Sequence, residues 1–423
     1  MQPALRRSGW PAALALALVC GEAATEALRP RGVPAASAVA VEEHFTAAEV
    51  ARARRFGRPQ LVLAGLGAVV QAGLLGWLVR RPPRLPDRVG DRPLAGAALT
   101  GACLSVILAA ATLPVSALMR RRALAVGLIT QSWRGWALDV LKATAIGAPL
   151  AAAGAALALA LMRRHGECWW IWGSVAGSAV VCGLTFAGPV VLDPLFNRFT
   201  PLADADVRED LLALAEAAGV RVGQVLQVDA SRRTTAANAY VNGLGATRRV
   251  VLFDTLLDQF TRAETRLVVA HELAHVRHRD VPRSLLHLAL TAPAALRAVD
   301  RLARHLDGMA SAARSIPRTS PPPTAAPPPS VAALALALGL IGAALVASGN
   351  RLSRAVERRA DTFALELADA PEAFTSFERR IVVANLADPD PPRWVTALLA
   401  SHPPVVERIG IARAYAERRA AAR

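Results

Sequence analysis

Residues 269–275 read VAHELAH, which contains the H-E-x-x-H motif. If this stretch is helical, His271 and His275 lie four residues apart on one face and can bind the same Zn²⁺ ion. Glu272 directly follows the first histidine, so its carboxylate can act as general base toward an attacking water. The motif also arises by chance as two surface histidines beside a glutamate, so it needs support from the rest of the chain.

The flanking residues supply the helix that the motif requires. Thr261 and Glu264 have the spacing of a capping box, which marks the start of many helices. Leu267 and Val268 then place apolar side chains in the same turns as the histidines. This apolar setting favours a metal-binding helix over a charged surface helix.

Long apolar runs indicate a membrane protein. The 423 residues are 53% hydrophobic, with a mean hydropathy of +0.33, which is high for a soluble chain of this length. Four runs each reach the roughly 20 residues that a helix needs to cross a bilayer. These runs are Pro59–Val79, Leu94–Met119, Ala143–Met162 and Trp169–Leu192. A large soluble core is the alternative, but cores rarely contain several uninterrupted runs of this length.

Three weaker or isolated features complete the apolar pattern. The run Trp10–Cys20 fits a signal peptide or a first, uncleaved span equally well. Val331–Ser348 is a good span, whereas Leu285–Leu296 is short and contains a histidine and a proline. Between them, Pro317–Pro329 is rich in proline and predicts an extended, exposed linker.

The strongly basic charge is consistent with a membrane environment. The formal net charge is +16, and nearly all the basic residues are arginines. They cluster between apolar runs, where lipid headgroups lie, as in the triplet at residues 120–122. No nucleic-acid-binding motif accompanies them, so we expect the bilayer, and not a nucleic acid, as a partner. The four cysteines lack C-x-x-C spacing and predict neither a disulfide framework nor a cysteine metal site.

A stretch of globular composition interrupts the membrane runs. It contains a predicted amphipathic helix at Val207–Ala218 and predicted strands at Val225–Val228 and Arg249–Phe253. Upstream, Phe45–Val50 predicts a short helix. We therefore expect an N-terminal signal or span with a polar segment, a four-span region, a catalytic domain, a membrane hairpin with the linker, and a helical end of the catalytic domain. Their bounds are 1–58, 59–192, 193–283, 284–350 and 351–423.

A catalytic zinc site needs a third protein ligand, and Glu357 is the candidate downstream. On a helix, Glu357 and Asp361 share a face one turn apart. Glu357 can then bind the metal while Asp361 orients one of the histidines. Arginines surround both residues, so the spacing alone would favour a solvated charged helix.

Several blocks in the same order resemble the integral-membrane zinc peptidases that include the CAAX prenyl endopeptidase, with the heat-shock protease HtpX as a more distant relative. The resemblance begins near Phe45 and is densest over residues 237–280. The blocks are Asn238–Gly243 (NAYVNG), Val250–Leu257 (VVLFDTLL), His271–His275, Glu357–Asp361 and Ser401–Arg408 (SHPPVVER). A hydrophobic hairpin separates the second expected ligand from the third, as in that family.

The resemblance implies a fold and a set of metal ligands. The expected fold is mainly α: a multi-span helical membrane protein with an α+β, zincin-like catalytic domain bearing a small sheet. His271, His275 and Glu357 would bind zinc, Glu272 would activate the water, and Asp361 would support a histidine ligand.

The resemblance also implies residues that contact the substrate. Asn238, Ala239 and Tyr240 lie on what resembles the edge strand that pairs with an extended substrate peptide. Asn238 and His402 resemble the polar groups that stabilise the transition state in the family. His402 could donate to the developing oxyanion, and Pro403 restricts the backbone that aims it. Without the resemblance, His402 would be taken for a surface histidine before a helix.

These observations predict a zinc-dependent membrane endopeptidase that hydrolyses peptide bonds in membrane-associated proteins or peptides. The alternative is a catalytically silent scaffold or peptide-binding chamber of the same fold, which need not hold zinc. Abundant alanine and arginine with a single lysine, Lys142, is typical of GC-rich coding and favours a bacterial source. We therefore expect a multi-pass protein of a bacterial cell membrane, with its catalytic domain facing the cytoplasm, as the resemblance implies. Its oligomeric state stays open.

Overall fold

A computed structural model describes residues 9–82, 92–243, 248–313 and 328–422, and shows long helices joined to a small sheet. The first helices are α1 (Trp10–Leu28), α2 (Ala47–Arg80), α3 (Pro93–Ala125), α4 (Trp133–His165), α5 (Trp169–Val191), α6 (Asp193–Phe196) and α7 (Ala205–Ala217). The later ones are α8 (Asp254–Gln259), α9 (Arg262–Arg277), α10 (Asp280–Ala313), α11 (Val331–Ala368), α12 (Pro371–Ala384), α13 (Arg393–Leu398) and α14 (Val405–Ala421). The strands are β1 (Phe199–Pro201), β2 (Gln224–Val228), β3 (Ala239–Asn242) and β4 (Arg249–Phe253).

The sheet forms the base of the catalytic domain. Its strand order is β1-β2-β4-β3, with β2 parallel to β4 and the two outer strands antiparallel to their neighbours. The two strands predicted from sequence, which became β2 and β4, are confirmed, as is the helix α7. Leu252 of β4 and Leu211 of α7 pack with Leu273 of α9 in one buried core. The motif helix is therefore fixed against the sheet.

Five stretches of the described residues are long and apolar enough to cross a membrane. One of them, Trp133–Val191, is divided by the turn Gly166–Cys168 into α4 and α5. Lys142 near the start of α4 donates to the carbonyl of Leu195 beyond the end of α5, so these helices run antiparallel. Each of the four strong runs therefore lies in a helix of its own.

Two sequence expectations need correction or explanation. The short helix predicted at Phe45–Val50 is wrong, because Thr46 caps a single 34-residue helix, α2, that continues into the membrane run. The weak run Leu285–Leu296 lies inside the 34-residue helix α10. Beyond that run, α10 carries Asp300, which is buried and accepts hydrogen bonds from Trp169 (2.8 Å) and Arg304 (2.9 Å).

The membrane helices form a ring. Contacts link α2 to α3, α3 to α4, α4 to α5, α5 to α10, α10 to α11, and α11 back to α2, while α1 packs on α10 and α11. Only 6% of the most apolar window is buried in α3 and in the stretch that contains α4 and α5. The described residues therefore leave most of the apolar surface of these helices uncovered.

Helix α11 connects the ring to the catalytic domain without a break. It runs for 38 residues from Val331 to Ala368, about 57 Å, and passes straight through the expected boundary between residues 350 and 351. Of the predicted linker Pro317–Pro329, residues 317–327 lie outside the described residues. The start of α4 is tied to the catalytic domain by an ion pair between Asp139 and Arg233. The α4–α5 connection therefore lies at the opposite end of the ring.

Candidate metal centre

The motif helix begins as the sequence predicts. Thr261 caps α9, its hydroxyl accepting the N–H of Glu264 at 3.3 Å while the Glu264 carboxylate accepts the N–H of Thr261 at 2.8 Å. The same carboxylate binds Ser376 and Arg380 of α12. This buried cap therefore fixes α9 to its neighbour as well as starting the helix.

The three expected ligands meet at one point. One ligand atom from each of His271, His275 and Glu357 lies within 4.8 Å of the others. The Nε2 atoms of the two histidines are 3.2 Å apart, and His271 Nε2 is 3.1 Å from Oε2 of Glu357. Two histidines from α9 and a carboxylate from α11 thus converge across the boundary between the two helices.

Carboxylates behind the imidazoles determine where their protons lie. Nδ1 of His271 is 2.9 Å from Asp361, and Nδ1 of His275 is 3.1 Å from Asp280. An ionised carboxylate can only accept, so each neutral imidazole donates from Nδ1 and keeps the lone pair on Nε2. In their neutral forms the two histidines therefore turn the lone pairs of their Nε2 atoms toward each other, an arrangement that a cation between them would stabilise.

The spacing fits a zinc ion. A tetrahedral ion with Zn–N bonds of about 2.0 Å separates its ligand atoms by about 3.3 Å. The two histidine Nε2 atoms are 3.2 Å apart, and Glu357 oxygens lie 3.1 Å from His271 Nε2 and 3.7 Å from His275 Nε2. Within the described residues, Oε2 of Glu357 is buried and makes no hydrogen bond. Two imidazoles and one carboxylate are the protein ligands of an open catalytic zinc site.

Two clusters of charged side chains surround the ligands. We call the cluster behind His271 the inner cluster and the cluster behind His275 the outer cluster. In the inner cluster, Arg408 binds both Asp361 (Nε to Oδ2, 2.9 Å) and Glu378 (Nη1 to Oε1, 2.8 Å). In the outer cluster, Asp280 accepts from both Arg283 and Arg359.

The sequence indicated Asp361, but it did not indicate the roles of the other members. Arg408 lies within the block Ser401–Arg408, and the resemblance of that block to the family was the sequence feature that could have pointed to it. Asp280 follows Arg279, whose backbone adopts a left-handed conformation (φ 56°).

The remaining expected catalytic residues line a cleft beside the ligands. A cavity of about 190 Å³ has Asn238, Glu272 and His402 in its wall, together with His271. Burial raises the pKa of the Glu272 carboxyl above its usual range. His402 is largely exposed, and its Nε2 lies 3.5 Å from Oε2 of Glu357. The residue that looked most like a surface histidine therefore lies beside the metal ligands.

Strand β3 forms one edge of the sheet and packs beside α9. Ala239 pairs with Leu252 and Tyr240 with Val251, so one side of β3 is satisfied by β4. Asn238 immediately precedes the strand, and its side-chain oxygen accepts the N–H of Ala239 at 2.9 Å. Burial raises the pKa of Tyr240 to about 12, which keeps its phenol neutral. The other side of β3 is the available edge for an extended peptide.

Comparisons with known proteins agree with this site. The model of "Peptidase family M48" matches residues 201–416. A second model, "CAAX prenyl protease N-terminal, five membrane helices", matches residues 41–198. The fold and the site define a membrane-embedded metallopeptidase. The chain belongs to peptidase family M48, so it is a zinc-dependent peptidase, and the silent scaffold that the sequence left open is set aside.

Individual relatives agree with this membership. The "Uncharacterized metalloprotease YhfN" of Bacillus subtilis is 30% identical over 316 residues, which are 72% of this chain and 70% of that protein. The "CAAX prenyl protease 1 homolog" of Arabidopsis thaliana is 31% identical over 225 residues, 52% of this chain and 50% of that protein. The crystal structure of S. mikatae Ste24p has the same fold, with a TM-score of 0.75 at 19% identity, covering 96% of this chain and 97% of that one.

Proposed function

We propose that His271, His275 and Glu357 hold the catalytic zinc and that Glu272 is the general base. The observation that carries this proposal is the convergence of the Nε2 atoms of two histidines and a carboxylate oxygen of Glu357 that lacks a hydrogen-bond partner. When bound, the zinc ion supplies Lewis-acid polarisation at the peptide carbonyl. Glu272 takes the proton from the attacking water, and its raised pKa suits it to pass that proton to the leaving amine.

Two further groups act on the substrate in this proposal. His402 donates to the oxyanion that develops as water attacks, and Asn238 binds the peptide near the same point. The peptide backbone pairs with the free edge of β3 at Ala239 and Tyr240, in an extended conformation. The lining of one cleft by Asn238, Glu272 and His402 supports these assignments. Main-chain pairing gives affinity with little sequence selectivity, so selectivity must come from side-chain contacts elsewhere.

We infer that the substrates are membrane-associated proteins or peptides, because Glu357 lies on α11, the helix that continues from the membrane ring into the catalytic domain. Several relatives are named CAAX prenyl proteases, and they would suggest a prenylated substrate. The arginine-rich, lysine-poor composition favours a bacterial source, where quality control or peptide processing is the better proposal. The catalytic domain would then face the cytoplasm. It would comprise 193–283 and 351–423, assembled on the membrane segments 59–192 and 284–350.

The glutamate at position 272 gives the direct test of the chemistry. Glu272→Gln should keep its zinc and its fold but lose peptide hydrolysis by about 10²–10⁴-fold, because an amide cannot accept the proton. Zinc content by mass spectrometry and turnover of a fluorogenic peptide would be measured on the same sample. Glu357→Ala is the matched control, and it should lose zinc as well as activity. Near-normal turnover by Glu272→Gln would remove Glu272 from the mechanism.

The orientation can be tested with a cysteine that the chain already carries. Cys168 is exposed in the α4–α5 connection, at the end of the ring away from the catalytic domain. If the catalytic domain is cytoplasmic, an impermeant maleimide added to intact cells should label Cys168. Cys168→Ser should abolish that labelling. Labelling that requires permeabilised cells would place the catalytic domain outside.

A further inference from the structure

Helix α13, which precedes His402 of the cleft in the chain, exposes an apolar surface. Trp394, Leu398 and Leu399 are 56%, 48% and 49% exposed, although α13 belongs to the C-terminal part of the chain rather than to the ring. Trp394 and Leu398 are four residues apart on this short helix, so they lie on one face. We call these three residues the apolar shelf. Large apolar side chains left open in this way commonly mark a binding surface.

The shelf is fixed to the face of α11 that carries Glu357. Asn350 of α11 donates to the carbonyl of Leu398 at 2.9 Å, and Arg354 donates to the carbonyls of Thr396 (2.8 Å) and Ala400 (2.6 Å). Asn350, Arg354 and Glu357 follow one another at i, i+4 and i+7, which places them on one side of the helix. The shelf therefore lies on the side of α11 that faces the metal centre, where the apolar run of that helix ends.

The shelf lies at a defined distance from the metal ligands. Asn350 and Glu357 are seven residues apart, which is about 10 Å along a helix. The segment from Leu399 to His402 spans about the same distance. It begins beside Leu398, which is bonded to Asn350, and it ends at His402, whose Nε2 is 3.5 Å from Glu357. An extended peptide advances about 3.3 Å per residue. About three residues of an extended peptide therefore span the distance between the metal centre and the shelf.

We propose that the apolar shelf is a specificity surface, which binds apolar side chains of the peptide substrate about three residues from the scissile bond. This inference rests on the proposed peptidase site. The occupant follows from the position of the shelf, because it shares one face of α11 with Glu357 and continues through Ser401 into His402 of the cleft. Contact with apolar side chains would supply the selectivity that pairing with β3 lacks.

The test is a cleavage profile of a mixture of synthetic peptides of known sequence, read by mass spectrometry. The wild type should prefer leucine, phenylalanine and methionine at about the third residue on one side of the cleaved bond. Replacing the shelf by serine (Trp394→Ser, Leu398→Ser, Leu399→Ser) should remove the preference at that position. Two matched peptides would carry either two leucines or two serines around that position. The ratio of kcat/KM for the leucine peptide to kcat/KM for the serine peptide should be about tenfold lower in the serine variant than in the wild type, mainly through KM.

A second variant distinguishes the loss of the apolar surface from damage to the fold. Trp394→Phe with Leu398→Met and Leu399→Met keeps the surface apolar and should keep the wild-type ratio. An unchanged ratio in the serine variant would overturn the proposal. So would an equal loss for both peptides, which would instead indicate that the shelf contacts the bilayer and only supports His402. If the wild type cleaves no peptide in the mixture, the peptidase proposal itself fails, which is a different result.

Discussion

The inner and outer clusters both support a histidine, but the ratio of carboxylates to arginines is reversed between them. Each places a carboxylate behind a histidine, Asp361 behind His271 and Asp280 behind His275. In the inner cluster, two carboxylates share one arginine, whereas in the outer cluster one carboxylate is shared by two arginines. The inner carboxylates are almost completely buried, while His275 on the outer side is partly open to solvent.

The difference shows that the two histidines are not supported in equivalent ways. The inner cluster has no spare cation, so its single arginine has to neutralise two charges in a region of low dielectric. The outer cluster has a spare cation, and water can reach the histidine that it supports. We therefore expect the centre to tolerate damage on the outer side and to fail on the inner side.

The largest effect is expected from Arg408→Met. The change leaves Asp361 and Glu378 buried without their shared cation, and breaking such a pair typically costs about 3–5 kcal/mol. Burial raises the pKa of Glu378 to about 7, so protonation of this carboxyl can relieve part of the cost. Thermal unfolding in detergent should show a clearly lowered Tm. An unchanged Tm would mean that the inner cluster does not depend on its arginine.

A smaller effect is expected from Asp361→Asn, because Arg408 still has Glu378. The amide no longer provides a charged acceptor for Nδ1 of His271, and losses of such partners typically weaken metal binding by about 10–100-fold. Competition with a chelator would measure the zinc affinity. Glu378→Gln serves as control, since it changes the same cluster without touching a ligand. If both variants lost zinc equally, orientation of His271 by Asp361 would not be the cause.

The smallest effect is expected from Asp280→Asn. His275 is partly exposed, so water can accept the Nδ1 proton, and we expect zinc affinity to fall by only about tenfold. Arg283→Ala is a control within the outer cluster, because Arg359 still pairs with Asp280. The same chelator competition applies. A loss larger than that of Asp361→Asn would reverse the comparison between the two clusters.

The ligand helix could be predicted from sequence because its signals are local. The capping box at Thr261 and the four-residue spacing of the histidines need no knowledge of distant residues. Asp280 could not be found in this way, since five residues after His275 would place it on another face of a continuous helix. The left-handed backbone at Arg279 ends α9 and turns Asp280 back toward His275. Such a conformation is uncommon outside glycine.

The proximity of Glu357 and His402 to the motif could not be predicted from local sequence patterns. Spacing alone favoured a charged surface helix for Glu357 and a surface histidine for His402, and only resemblance to a family connected them with the motif. The structure brings both to the motif through contacts between residues far apart in the chain. The long apolar helices were easier to predict, except α10, which carries the buried polar residue Asp300.

The continuity of α11 has a consequence for biosynthesis. His271 and His275 leave the ribosome before the α10–α11 hairpin, whereas Glu357 is made after the first half of α11. With the ligand set proposed for this enzyme, the nascent chain carries two of three ligands while its last hairpin is still outside the bilayer. Insertion of that hairpin delivers the third ligand. The order of translation thus delays completion of the proposed ligand set until the last hairpin has been made.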